Sequence, residues 1–285
     1  LCDDNHHRAD ALLDSEVVEF PANCVNTVFA EFLVFNRSSK GYLARFSSWI
    51  DFDIGYPYDD FVGCDVEHNM FYGYNGNDID GPGNGAYDGV PPAQGCIMLD
   101  VIGQYCDERH PMGVFMYYNN SSSRISGDPV SATDFYRYAE GTWLNGQSLL
   151  YGGDGISNGT SDIPCHYMFP GDSDPDFIGT DGVAVEPWTE VTAGNAPNDR
   201  RGVASTDYFY LNAHSTGYRF LLAYTTAFGS GKNTVESPAT APFIKYYVDV
   251  TAPTIPTFSF DKAAWDNAHN SRDYYSDQPV KMTIT

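Results

Sequence analysis

The chain is 285 residues long and carries a formal net charge of −23, from 38 acidic residues against 15 basic ones. An acid excess of this size repels phosphate backbones and anionic lipid surfaces, so it argues against nucleic-acid and lipid-surface partners. The sequence has no run of about 18 apolar residues, so it predicts no membrane span. Aromatic residues make up 15% of the chain and Gly and Pro number 27 and 17, which is typical of strands joined by many turns.

The first predicted elements are two strands rich in aromatic and β-branched residues. They cover residues 26–35 (NTVFAEFLVF) and 42–54 (YLARFSSWIDFDI), and the turn at 36–41 predicts that they pair as a hairpin. Two further strands are predicted over residues 96–102 and 113–118.

A single helix is predicted near residues 132–141. Ser131 and Asp134 have the spacing of a capping box, apolar residues follow at helical spacing, and Gly141 provides a stop. Beyond it, residues 203–211 and 218–228 alternate on either side of NAHSTG and predict an antiparallel hairpin. The expected fold is mainly β, a β-sandwich with long Asp/Gly/Asn-rich loops and one short helix.

The domain organisation follows from changes in composition. Residues 1–24 form an acidic N-terminal segment, and residues 25–228 form the β-sandwich domain, either single or divided into two packed sub-sandwiches. Residues 229–285 form a linker with a C-terminal strand segment, or the start of a second module of a longer chain. The final strand, QPVKMTIT, would place Val280, Met282 and Ile284 on one face, where they could complete a neighbour's sheet by strand addition and build a filament.

The even number of cysteines, without a CxxC pair, indicates disulfides and an oxidising compartment. The six are Cys2, Cys24, Cys64, Cys96, Cys106 and Cys165. Proximity in sequence favours Cys2–Cys24 and Cys96–Cys106, which leaves Cys64 and Cys165, although fifteen pairings are possible.

Clustered carboxylates suggest a bound cation. Asp51 and Asp53 share one face at a strand end, and Asp59, Asp60 and Asp65 follow a Gly/Pro bend, with no Lys or Arg between residues 51 and 65. Burial of unpaired carboxylates costs several kcal/mol, so a positive partner or a catalytic use is expected.

Two further loops, residues 75–81 and 172–176, have the oxygen-rich composition that calcium uses in irregular sites. The 75–81 loop does not have the spacing of an EF-hand. The alternative is that these Asp side chains cap backbone amides in turns. The predicted structural Ca²⁺ ligands are Asp51, Asp53, Asp59, Asp60, Asp65, Asn75, Asn77, Asp78, Asp80, Asp172, Asp174 and Asp176.

Two other functions stay open at this point. Trp49, Trp143 and Trp188 could stack on sugars in a glycan-binding module, or they could fill the sandwich core. An Asp pair drawn from Asp51, Asp53 and Asp60 could serve a secreted hydrolase. No complete catalytic motif supports an enzyme, because the GxSxG match at 155–159 lies in a Gly/Asn-rich loop instead of a strand–helix turn. We expect Arg200 and Arg201 to neutralise nearby carboxylates.

Several short sequence motifs, taken in their order along the chain, resemble those of a family of secreted Bacteroidota proteins. They include 49–53 (WIDFD), 58–65 (YDDFVGCD), 72–81 (YGYNGNDIDG), 89–95 (GVPPAQG), 149–155 (LLYGGDG), 165–180 (CHYMFPGDSDPDFIGT) and 196–205 (APNDRRGVAS). Members are large extracellular proteins that usually carry a C-terminal sorting domain for type IX secretion. The resemblance covers about residues 25–228 and implies an exported, β-rich protein at the cell surface or outside the cell, but no reaction. The sequence departs from the family after Gly229.

Together these features predict a non-enzymatic, secreted or cell-surface protein with a structural or adhesive role. Calcium and disulfides would stabilise its loops, and its partners would be other copies of itself or surface glycans.

Overall fold

In the computed structural model, the fold is mainly β with antiparallel sheets, as predicted, and has the character of a β-sandwich. The structure describes residues 27–77, 80–81, 91–102, 110–121, 125–215, 217–228, 258–260 and 282–284. The chain forms two compact units, one of residues 26–249 and one of residues 1–25 with 250–285.

The strands are short to medium in length and the helices are brief. The strands are β1 (Thr27–Val34), β2 (Tyr42–Ala44), β3 (Ser47–Asp51), β4 (Asp60–Asp65), β5 (Met70–Asn75), β6 (Pro92–Ile102), β7 (Met112–Asn119), β8 (Arg200–Thr206), β9 (Phe209–Leu211), β10 (Tyr218–Phe228), β11 (Phe258–Phe260) and β12 (Met282–Ile284). Within the described ranges, the helices are α1 (Ala132–Ala139) and α2 (Glu190–Ala193), with a 3-10 turn at Ile178–Thr180.

The larger unit is built from a five-stranded sheet, a three-stranded sheet and a two-stranded ribbon. Their strand orders are β1-β10-β6-β5-β4, β3-β8-β7 and β2-β9. One aromatic core spans the first two sheets, since the rings of Phe71 on β5 and Phe115 on β7 lie 5.5 Å apart. Gly202 on β8 makes room for them, because a Cβ there would lie 2.8 Å from Phe52 and 3.2 Å from both other rings.

The first predicted hairpin is wrong in its pairing, although the strands exist. β1 pairs with β10, and the 42–54 stretch divides into β2, which pairs with β9, and β3, which pairs with β8. The division occurs at Phe46, whose backbone N–H donates to Thr206 Oγ1 at 3.1 Å and whose ring stacks on Phe220 at 4.2 Å. Contacts of this kind, between residues far apart in sequence, cannot be predicted from the local pattern of apolar and polar residues.

The second predicted hairpin is wrong for a similar reason. The 203–211 stretch divides at Asp207, whose backbone N–H donates to Pro111 O at 3.0 Å. β8 therefore lies in the three-stranded sheet, whereas β9 and β10 lie in two other sheets.

The predicted helix is confirmed as α1. Ser131 Oγ accepts a hydrogen bond from Asp134 N, and Asp134 Oδ2 accepts one from Ser131 N at 3.0 Å, which completes the capping box. Tyr138 anchors the helix, because it is fully buried and its hydroxyl donates to Gly127 O at 2.6 Å. Sequence reasoning missed the four-residue α2, which begins with a second capping box at Thr189.

The C-terminal strand prediction falls in the smaller unit. β12 pairs antiparallel with β11, with Ile284 opposite Phe258 and Met282 opposite Phe260. One edge of β12 is therefore occupied by the same chain. Val280 lies outside the described residues, and filament assembly stays a prediction.

The disulfide prediction is wrong for three of the cysteines. Cys64, Cys96 and Cys165 are free and buried, so neither Cys96–Cys106 nor Cys64–Cys165 is formed. Burial raises the pKa of the Cys64 and Cys165 thiols and raises that of Cys96 to about 12. Such thiols pack as small apolar groups. Cys2, Cys24 and Cys106 lie outside the described residues.

Candidate metal centre

The pairing of β3 with β8 creates an acidic cluster at the edge of the three-stranded sheet. Asp51 ends β3 and lies opposite Arg201, so Asp199, just before β8, lies near it. The side chains of Phe52 and Ile54 are buried, while Asp51 and Asp53 are exposed. This alternation confirms the predicted common face of the two carboxylates.

Three carboxylates approach one another closely enough to share an ion. One oxygen from each of Asp51, Asp53 and Asp199 lies within 4.8 Å of the others. Two oxygens that bind the same Ca²⁺ at about 2.4 Å can be at most about 4.8 Å apart. These three residues, called the outer triad below, therefore match the span of a single calcium ion.

Asp199 provides a second, independent indication. Its Oδ2 accepts a hydrogen bond from Asn120 Nδ2 at 3.3 Å, but its Oδ1 is buried and has no hydrogen-bond partner. A buried carboxylate oxygen without a partner is costly unless a cation neutralises it. Asp199 was not among the predicted ligands, because its position depends on the β3–β8 register.

Arg201 neutralises the triad only in part. Its guanidinium lies 3.0 Å from Asp51 Oδ2, 3.2 Å from Asp128 Oδ1 and 3.6 Å from Asp199 Oδ2. The pKa of Asp53 is raised by burial and then by Asp51 and Asp199, against the opposing effect of Arg201. The outer triad therefore keeps a net negative charge, although Arg201 neutralises nearby carboxylates as the sequence predicted.

A second group of carboxylates, Asp59, Asp60 and Asp80, is buried below the surface and is called the inner group. Backbone amides hold each one: Gly81 N donates to Asp59 Oδ2 at 2.8 Å, Ile54 N to Asp60 Oδ2 at 3.2 Å and Tyr56 N to Asp80 Oδ1 at 2.8 Å. The backbone at Ile54, Tyr56 and Gly81 therefore holds these three carboxylates in place.

The inner group is short of positive charge at two of its members. Burial, with smaller contributions from Asp59, Asp80 and Asp53, raises the pKa of Asp60 to about 8, and burial also raises that of Asp59. The Oδ1 atoms of Asp59 and Asp60 have no hydrogen-bond partner. No basic side chain in the described ranges forms an ion pair with either residue. At neutral pH, Asp60 therefore holds a proton.

The remaining predicted ligands of the first two loops divide between these sites and other places. Asn75, which pairs with Asp60 across β4 and β5, donates through Nδ2 to Asn77 O at 2.8 Å, so both asparagines border the inner group. Asp78 lies outside the described residues. Asp65 lies at the other end of β4, about 17 Å along the strand, and accepts hydrogen bonds from His68 N and Nδ1. The structure does not bring it to either cluster.

In the 172–176 loop, the central residue Asp174 caps backbone amides of a turn, which is the alternative to calcium binding that the sequence left open. Asp174 accepts hydrogen bonds from Ile178 N at 2.8 Å and Gly179 N at 2.7 Å, so it caps a turn. Asp172 and Asp176 are exposed. Among the residues that the structure describes, the outer triad is the set of three carboxylates with oxygens within 4.8 Å, and this loop is not part of it.

Arg200 also takes the predicted role of a counter-ion, at a different place. Its guanidinium lies 2.9 Å from Glu190 Oε1 and 2.8 Å from Oε2, and both residues are buried. Glu190 Oε1 also accepts a hydrogen bond from Val62 N at 3.0 Å. This satisfied ion pair links α2 to β4 and β8, and Glu190 was missed because nothing near it in sequence signals burial.

The structure treats the residues of the two alternative functions differently. Trp143 and Trp188 are buried, and Trp49 packs edge-on against Tyr118 and Phe135, so these rings fill the core. Asp60 is fully buried in the inner group, which leaves Asp51 and Asp53 as the exposed members of the predicted Asp pair.

The search for relatives gave no match among protein-family models, curated proteins or solved structures. In the part of the chain that the structure describes, no helix is both long and apolar enough to cross a membrane.

Proposed function

We propose that this chain is a structural or adhesive module of the cell surface or extracellular space, and that Ca²⁺ stabilises its loops. The observation that carries this proposal is the outer triad, in which three carboxylate oxygens lie within 4.8 Å of one another and Asp199 Oδ1 is buried without a partner. Oxygen ligands with no His or Cys among them favour a hard cation such as calcium over a transition metal.

The ion would act as a cross-link between distant parts of the sequence. Asp51 and Asp53 lie at the end of β3, whereas Asp199 precedes β8. One cation bound to all three would therefore link the end of β3 to the start of β8. The exposure of Asp51 and Asp53 leaves room for water molecules to complete the six to eight oxygens that calcium takes.

The extracellular location rests on the resemblance to secreted Bacteroidota proteins. Its partners would be other copies of the chain or surface glycans. Self-assembly would use the edge of β12 that faces away from β11, so that a neighbouring strand extends this sheet.

The test is thermal unfolding of the whole chain in EGTA and in increasing CaCl₂, with isothermal titration calorimetry for the number of sites. We expect calcium to raise the Tm and to bind with a stoichiometry of at least one, whereas Mg²⁺ at equal concentration has a smaller effect. A Tm that is the same in EGTA and in millimolar calcium would contradict the proposal.

A further inference from the structure

A cavity of about 220 Å³ lies between the 167–180 loop, Tyr151 and residues 185–187, away from both carboxylate clusters. Its walls are mainly aromatic rings and prolines, and its polar side chains are mainly acidic. The residues that matter for its chemistry are Tyr151, Tyr167, Phe177, Asp172, Asp174 and Glu186.

The walls of this cavity are fixed by hydrogen bonds and ring packing. The Tyr167 hydroxyl donates to Met112 O at 2.7 Å, and the Tyr151 hydroxyl donates to Glu186 O. Tyr151 also packs edge-on against Trp188, with ring centroids 5.2 Å apart, and Trp188 Nε1 donates to Gly153 O at 3.2 Å. The cavity is therefore formed before any ligand enters.

The side chains that line the cavity offer negative charge and hydrogen-bond acceptors. Asp174 is engaged by two backbone amides, but no side chain or amide in the described ranges donates to the carboxylates of Asp172 and Glu186, which are exposed. The lining includes no Lys, Arg or His. The hydroxyl donors are committed as well, since Thr180 Oγ1 donates to Val183 O at 2.7 Å in the same way as the two tyrosines donate to carbonyls.

We propose that this cavity binds an organic ammonium ion, of the class of alkylated or methylated amines. Aromatic faces attract cations through their quadrupole, and the two free carboxylates supply the counter-charge. The apolar walls accept methyl groups but cannot replace the hydration shell of a small inorganic ion. A volume of about 220 Å³ equals about seven water molecules at about 30 Å³ each, which suits an ammonium head group and excludes a long ligand.

A neutral sugar fits this chemistry less well. Sugar hydroxyls both donate and accept hydrogen bonds. The Tyr151, Tyr167 and Thr180 hydroxyls already donate to backbone carbonyls, so they are not available as donors to a sugar. A sugar hydroxyl could donate to Asp172 or Glu186, but the hydrogen bonds that its oxygen accepts from water would find no Lys, Arg or His donor in the lining to replace them. The inference is independent of calcium, because it uses none of the residues of the outer triad or the inner group.

The test compares choline with its neutral isostere 3,3-dimethyl-1-butanol and with glucose, using titration followed by NMR chemical shifts. We expect millimolar binding of choline that weakens as salt is added, and at least tenfold weaker binding of the isostere. Equal binding of choline and the isostere would overturn the cationic assignment. Tighter binding of glucose than of choline, or no binding of choline at millimolar concentration, would also overturn the proposal.

Matched variants locate the effect. Asp172→Asn combined with Glu186→Gln removes charge from two exposed residues, so the fold is preserved, and we expect choline affinity to fall about tenfold. Asp162→Asn removes an exposed charge that does not line the cavity, and its affinity should be unchanged. If the double variant binds choline as the wild type does, the cavity is not the site.

A second kind of variant changes the shape of the cavity without altering its charge. A Cβ at Gly179 would lie 2.6 Å from Tyr167 Cδ2 and 2.9 Å from Asp174 Oδ2, so Gly179→Ala forces these two lining side chains to shift. We expect loss of choline binding while far-UV circular dichroism stays that of the wild type. Retained binding in this variant would also overturn the proposal.

Discussion

Arg201 lies directly opposite Asp51 in the β3–β8 pair, with its Nε 3.0 Å from Asp51 Oδ2. The same guanidinium faces Asp128 and Asp199, so one positive charge serves several carboxylates at the end of these strands. Arg stays protonated at any ordinary pH, so the remaining negative charge is a constant property of the site. A divalent cation would therefore join Arg201 there and would not need to displace it.

Asp199→Asn should remove most of the stabilisation by calcium. In the wild type, calcium at a hundredfold excess over its Kd should raise the free energy of unfolding by about 2.7 kcal/mol. The variant keeps an amide oxygen but loses the negative charge that the carboxylate offers to the ion, so its gain should be less than half as large. Asp162→Asn, an exposed change away from the site, is the control and should keep the full gain. Denaturant unfolding with and without calcium measures both, and equal gains in the two variants would contradict the assignment of Asp199.

Asp60 should make stability depend on pH in a characteristic direction. Its folded pKa is about 8, above the ordinary value of an unfolded Asp of about 4. The folded state therefore holds a proton that the unfolded state releases between these values. Stability from this group is fully present below about pH 4 and declines by roughly 1 kcal/mol per pH unit until about pH 8.

The Asp60→Asn variant isolates this effect, because the amide keeps an acceptor for Ile54 N and cannot ionise. In EGTA, the difference in free energy of unfolding between variant and wild type should grow in favour of the variant from pH 5 to pH 8. Parallel pH profiles of the two proteins would show that Asp60 does not titrate in this range.

Arg200→Ala should destabilise the fold strongly. It leaves Glu190, which is fully buried, without its counter-ion, and loss of one partner of a buried pair costs about 3–5 kcal/mol. Arg37→Ala is the matched control, since Arg37 is exposed, and should cost less than about 0.5 kcal/mol. Urea unfolding curves compare them, and a small effect at Arg200 would mean that Glu190 becomes solvated or protonated at little cost.

The three buried cysteines should behave as protected free thiols. Iodoacetamide added to the native protein should leave Cys64, Cys96 and Cys165 unmodified, because their thiols are buried and their pKa values are raised. In denaturant without reductant, all three should react. Peptide mapping by mass spectrometry reads out each site, and a cysteine that reacts only after reduction would show a disulfide.

The C-terminal strand should be required if the chain forms polymers. Deletion of residues 277–285 removes β12, which is the strand that the proposed assembly would extend. We expect the full chain to form filaments visible by electron microscopy and the truncated chain to stay dispersed, with the Tm of the larger unit unchanged. Filaments of the truncated chain would exclude strand addition through this segment.

Much of the secondary structure could be predicted because its causes are local. The aromatic and β-branched residues of β1 and the capping box of Ser131 and Asp134 lie within one short window each. Strand partners could not be predicted in the same way. Whether β1 pairs with the next strand or with β10 depends on contacts such as Phe46 on Phe220, far apart in sequence.

The same distinction explains the site. Asp51 and Asp53 share a face because strands have a period of two, and that needs no knowledge of the fold. Asp199 joins them only through the β3–β8 register, and Asp65 leaves the cluster because β4 carries it to the opposite end of the sheet. The cysteine prediction failed because an even count is equally compatible with thiols that serve as core packing.

The burial of Phe52 and Ile54 on either side of Asp53 has a consequence for the resistance of the β3–β8 strand pair to proteases. These side chains clamp the strand end to the interior, so the carboxylates cannot move apart when an ion departs, and their mutual repulsion acts on the strand pair itself. Calcium-poor surroundings should then favour local opening and attack by proteases. The lifetime of the protein in the presence of proteases would therefore depend on the calcium concentration around it.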